Sequence, residues 1–137
     1  MEKDQVMVKM VLDRWYSLIR NFDTAFSTLS DSDLQREISP GRNRGIYLLG
    51  HMIAVHDDML RLLDFGEKQY SHLYETFIAQ PDRAIENLPP IQELRANWAE
   101  QVNYMSARLM RLHPRNGSKN TPQLATKTLQ KNRTATN

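Results

Sequence analysis

Between Pro90 and His113 the apolar residues return every three or four positions: Ile91, Leu94, Trp98, Val102, Met105, Leu109 and Leu112. That spacing keeps one face of an α-helix apolar over three heptads, and it fits no strand, where side chains alternate every second residue. Pro90 suits the first turn of such a helix, because its missing N–H is one that no helical carbonyl would accept. A stripe this long predicts a helix packed lengthwise against antiparallel neighbours.

Two further stretches have the same character. From about 4 to 29, Val6, Met10, Trp15, Leu18, Phe22, Phe26 and Leu29 recur at three- to five-residue steps with charged residues between them. From about 45 to 65, Leu48, Met52, Val55, Met59 and Leu62 alternate steps of four and three, and Gly66 follows as a helix stop. Between these two helices lies turn chemistry ending in Pro40-Gly41, with Asp33 to Glu37 able to hold a single helical turn. Tyr70, Leu73, Tyr74 and Phe77 predict a short helix lying across the bundle and ending before Pro81. No stretch reads as a strand. The expected fold class is all-α, a four-helix bundle design realised as three long helices plus a short crossing helix.

The expected fourth long helix does not follow. From Pro114 to the end there are five basic residues, no acidic one, and only Leu124 and Leu129 as large apolar side chains. Such a composition cannot bury enough apolar surface to offset ordering, so 114–137 is expected to be a disordered basic tail on a helical domain of 1–113. Without this tail the net charge falls from +2 to −3. The positive charge therefore lies where there is no periodicity and no aromatic side chain, and specific nucleic-acid binding is not expected. The chain has no cysteine, which excludes disulfides, thiolate metal sites and a cysteine nucleophile. No apolar run is long enough for a membrane span, and the N-terminus lacks a secretory apolar region, so a soluble cytoplasmic protein is expected.

The segment from Pro40, PGRNRGIYLLGHMIAVHDDMLRLLDFGEK, resembles the second-helix region of DinB/YfiT-like proteins. The long helix before it and the third helix ending LMRLHP fit in place and length, and the likeness covers roughly 1 to 114. Its most specific element is Gly50-His51. The resemblance implies a four-helix bundle holding a divalent metal, zinc or nickel, through three histidines. One would come from the second helix, at His51 here, and two from a His-x-x-x-His-like pair on the fourth. It further implies frequent homodimers, and metal-dependent enzymes of the thiol-dependent transferase, isomerase or hydrolase type acting on small-molecule or thiol substrates.

The chain holds four histidines, at positions 51, 56, 72 and 113. At about 100° per residue His51 falls between Leu48 and Val55 and is expected to face the bundle interior. There it serves either as a metal ligand or as a core histidine satisfied by a carbonyl or tyrosine. His56 lies about 140° further round and cannot share an ion with His51 from a regular helix. Beside Asp57 and Asp58 it reads as an exposed polar-face residue. His72 reads as surface, and His113 as a cation suited to a helix C-terminus. Arg42, Asn43 and Arg44 could meet an anionic substrate at a helix start, but read first as solvated turn positions. No histidine follows His113, so the three-histidine site is incomplete and tight metal binding by this chain is not expected.

The loss of acidic and apolar residues within a residue or two of Pro114 suggests a shifted reading frame and a truncated enzyme. With permitted third-base choices, the shifted frame of the tail can spell EWLQKHTAISDEDFAKK and then PHRN, the kind of connection expected before a fourth helix. The alternative is a non-catalytic helical protein that dimerises through the face the missing helix would have covered.

Overall fold

The computed structural model describes residues 2–112. In that span the chain forms α1 (Lys3–Thr28), a one-turn α2 (Asp31–Leu34), α3 (Gly45–Leu62) and α4 (Ile91–Leu112). A crossing segment between α3 and α4 is built from a 3₁₀ turn, Ser71–Leu73, and a π-helical turn, Glu75–Ala79. The class is all-α, and no strand occurs among the described residues. None of the described helices is long and apolar enough to cross a membrane. The tail from 114 and His113 lie outside the described residues.

Local chemistry accounts for the element ends. Ser30 accepts from the backbone N–H of Asp33 while the Asp33 carboxylate accepts from the N–H of Ser30, a reciprocal cap that starts α2. Its two hydrogen bonds with Ser30 hold the Asp33 carboxyl below the ordinary carboxylate value. The single turn falls at Asp31–Leu34, two residues earlier than the expected Asp33 to Glu37, because Ser30 takes the cap. Gly41 at φ 78° then closes the tight loop that returns the chain to α3.

α1 runs antiparallel to α4: Leu12 and Tyr16 meet Leu109 and Ser106, whereas Asp23 and Phe26 meet Trp98 and Arg95. It is antiparallel to α3 too, since Trp15 meets His56 while Met7 and Val11 share a groove with Met59 and Leu63. α3 and α4 are therefore parallel, which is why a long crossing connection must join them. The main core gathers Ile19, Phe26, Leu34, Ile53, Leu73, Phe77, Leu94 and Trp98 around this arrangement.

Two of the three expected stripes turn out to be offset. On α3 the buried positions include Ile46, Leu49, Ile53, Asp57 and Leu60, which share one side of the helix. The expected stripe Leu48, Met52, Val55 and Met59 is only half-buried, and Leu62 is 83% exposed. On α1 the buried face is Leu12, Tyr16, Ile19, Asp23 and Phe26, while Met10, Leu18 and Phe22 are exposed. Both helices are apolar on more than one side, so periodicity alone could not choose between the sides. On α4 the expectation holds from Ile91 to Leu109, all buried at the expected positions.

Candidate functional site

His51 sits in the second turn of α3, half-buried. Its Nδ1 lies 2.7 Å from the carbonyl oxygen of Phe77. A carbonyl can only accept, so Nδ1 carries the proton and the neutral ring keeps its lone pair on Nε2. The ring of Tyr47, one turn earlier, lies nearly parallel to the imidazole at 13° with centroids 6.1 Å apart. Tyr47 is itself held by donating its hydroxyl to the carbonyl of Gln80 at 2.7 Å. Burial pushes its phenol above the ordinary value, and the nearby Asp82 charge adds to this.

The crossing segment can approach His51 this closely because residue 50 is glycine. A Cβ there would come within 2.4 Å of the Phe77 ring. Gly50 lets Phe77 lie flat on α3, and Phe77 in that position presents its carbonyl to the imidazole of the next residue. The Gly50-His51 pair thus works as one local unit: the first residue admits the segment that orients the second.

The same segment is tied down at its other end. Asp82 accepts from the Arg44 backbone N–H at 2.8 Å and from its guanidinium at 2.8 to 3.2 Å. Burial pushes the Asp82 carboxyl up, but the hydrogen bonds and charge of Arg44 outweigh it and hold it below the ordinary value. Arg44, expected at a solvated turn, is in a structural ion pair, while Arg42 and Asn43 are exposed.

His56 corrects the expectation of an exposed residue. It is 6% exposed, donates from Nδ1 to the Met52 carbonyl at 2.8 Å, and accepts at Nε2 from the Trp15 indole at 3.2 Å. Both nitrogens are occupied, so His56 joins α1 to α3 and is not available as a ligand. Burial lowers its pKa from 6.5. Asp57 is likewise buried, and its two oxygens accept the backbone N–H groups of Gln69 and Tyr70 at 2.8 and 3.0 Å, anchoring the start of the crossing segment. Sequence reasoning missed both, because two adjacent polar residues on a helix look like a solvated face. His72 is exposed, as expected.

His51 corrects the expectation in one respect. It lies not toward the α4-facing core but on the side of α3 that also carries Leu48 and Val55, which neither α4 nor the crossing segment covers fully. Further along this side, Met59 and Leu63 line an apolar groove of about 430 Å³ with Met7, Val11 and Trp15 of α1 and Leu109 of α4.

A family model described as the DinB superfamily matches residues 14–131 of this sequence. The chain belongs to the DinB superfamily. The matched span runs past Pro114, where the likeness read from the motifs ended. No curated protein matches the chain.

The divalent metal that this family implies can be tested against the donors present. His51 fits as one ligand: metal-bound histidines commonly donate their other ring nitrogen to a carbonyl, which fixes the ring and points the lone pair outward. Within the described residues the rest of the donor set does not fit. Among the described residues there is no group of three or more histidine, aspartate or glutamate side chains placed to hold an ion.

Proposed function

We propose that this chain derives from a divalent-metal-dependent DinB enzyme, of the thiol-dependent transferase, isomerase or hydrolase type, and retains one metal-ligand position, His51. The observation that carries this reading is the bond from His51 Nδ1 to the Phe77 carbonyl, which leaves Nε2 as the acceptor nitrogen. His56, by contrast, uses both of its nitrogens within the fold. With a single ligand the chain binds zinc or nickel weakly, and catalysis on a small-molecule or thiol substrate requires further ligands.

Equilibrium dialysis against zinc and nickel, comparing the native chain with His51→Ala, tests this. Weak binding that the substitution abolishes is the expected result. Binding indifferent to residue 51 would remove His51 from the ligand role, and one ion per chain retained after dialysis would overturn the incomplete site.

A second reading, a non-catalytic helical interaction protein that homodimerises, draws its support from the apolar side of α1 and α3 that is partly exposed among the described residues. Large uncovered apolar patches mark association surfaces more often than accidents of composition.

A further inference from the structure

The crossing segment ends in a π-helical turn, closed by the bond from the Gln80 N–H to the Glu75 carbonyl at 3.1 Å. Inside a helix the Phe77 carbonyl would accept from the N–H four residues on, or five in a π turn. The residue four on is Pro81, which has no N–H. Pro81 also keeps the residue before it out of the helical region, and Gln80 is extended at φ −111° and ψ 146°. The chain leaves the helical path there, and among the described residues no backbone N–H reaches the Phe77 carbonyl.

Phe77 is fully buried, so water cannot serve this carbonyl and another donor must. The donor is Nδ1 of His51 at 2.7 Å. The carbonyl of Gln80 is met from the same helix, by the Tyr47 hydroxyl at 2.7 Å. Tyr47 and His51, one turn apart on α3, thus cap the end of the crossing segment, where a helical turn leaves its last carbonyls without backbone partners. The proton on Nδ1 is held there by the need of a buried acceptor, and a ring with that proton fixed keeps its lone pair on Nε2.

We propose that Pro81 is a positioning residue for His51: by withholding a backbone N–H from the Phe77 carbonyl, it leaves that carbonyl to Nδ1 of His51 and so selects the tautomer that presents Nε2. Three residues far apart in the chain share the task. Gly50 admits the Phe77 ring, Pro81 leaves the carbonyl unmet, and His51 meets it. The tautomer is a property of the ring whatever binds to it; only its purpose rests on the ligand reading above.

NMR of the full chain with ¹⁵N-labelled histidines, native beside Pro81→Ala, decides it. At about pH 8.5, two units above the ordinary histidine value of about 6.5, long-range couplings show which ring nitrogen carries the proton, and single histidine substitutions assign the signals. Pro81 is exposed, so its replacement empties nothing from the core. His56, fixed by Met52 and Trp15, reports in the same spectrum whether the fold is intact, and the exposed His72 serves as the reference ring. The expected result is a native His51 protonated on Nδ1. In Pro81→Ala its ratio to the other tautomer should fall by roughly fivefold, the effect of one competing backbone hydrogen bond, while His56 stays as it was. A His51 unmoved in Pro81→Ala overturns the role of Pro81 and leaves the ligand reading standing. A change that spreads to His56 also overturns it, because the effect is then on the fold. A native His51 protonated on Nε2 overturns both.

Discussion

Leu60 and Leu62 stand two residues apart on α3 and have opposite fates: the first is fully buried against α4, the second 83% exposed. They represent two halves of the molecule. The half that faces α4 is closed by specific polar anchors as well as by packing. Trp98 donates its indole N–H to Asp23 at 3.1 Å. Arg95, 4% exposed, reaches the carbonyls of Phe26 and Leu29 and the carboxylate of Asp31, satisfying the orphan acceptors at the end of α1. The half formed by the outer sides of α1 and α3 has apolar residues in comparable number, but the polar link that joins these two helices, Trp15 to His56, lies on the interior side, where His56 is buried. Apolar composition alone does not make a core. An opposing element has to be there to receive it.

The strongest way to break this contrast is Trp98→Ala. Removing a large, fully buried ring and the partner of Asp23 is expected to lower stability by about 3–5 kcal/mol in urea unfolding. Leu60→Ala should follow at about 2–5 kcal/mol. Leu62→Ser should stay within about 0.5 kcal/mol when both are measured at dilution low enough to exclude association. An equal cost for the two leucines would mean that the outer face is covered after all.

Gly50→Ala tests the unit that positions His51. The added methyl meets the Phe77 ring, and overpacking of this kind costs about 1–3 kcal/mol. It should also reduce the His51-dependent metal binding, because displacing Phe77 releases the imidazole.

The Trp15–His56 bond gives the contact between α1 and α3 a pH dependence. Only neutral imidazole can accept from the indole, and burial has lowered the His56 pKa from 6.5. Because the unfolded chain takes up the proton first, the stability tied to neutral His56 is full above about 6.5. It declines as pH falls from there toward the lowered folded-state value. Stability measured against pH should show this loss, and His56→Gln should flatten it. The smallest effect expected is at Lys9–Asp13, an exposed pair on α1, where Lys9→Ala should change stability by less than about 0.5 kcal/mol.

Much of this was legible in the residues themselves. The three long helices fall within a few residues of the predicted ends; Pro90 and the acidic turn after Leu29 mark two of these, whereas α3 stops at Leu62 and the left-handed residue after it is Asp64, not Gly66. The crossing segment falls where Tyr70, Leu73 and Phe77 placed it, though as a 3₁₀ and a π turn instead of a regular helix. His51 stood out in the sequence by its place beside Gly50. Its hydrogen bond did not, because Phe77 is 26 residues away and reaches it only through a crossing path that no local pattern encodes.

The sequence by itself determined the class: three amphipathic helices, their approximate ends and their turn chemistry, all governed by local sterics and by periodicity within one helix. It also determined that these 137 residues hold four histidines, at 51, 56, 72 and 113. Only the tertiary structure decided which apolar face of α1 and α3 became core, because both faces could be buried and the choice belongs to the helix that packs against them. Only it could show that His56 and Asp57 are interior anchors and Arg44 an ion-pair partner. A polar side chain is buried when distant groups satisfy it, and distance along the chain says nothing of distance in space.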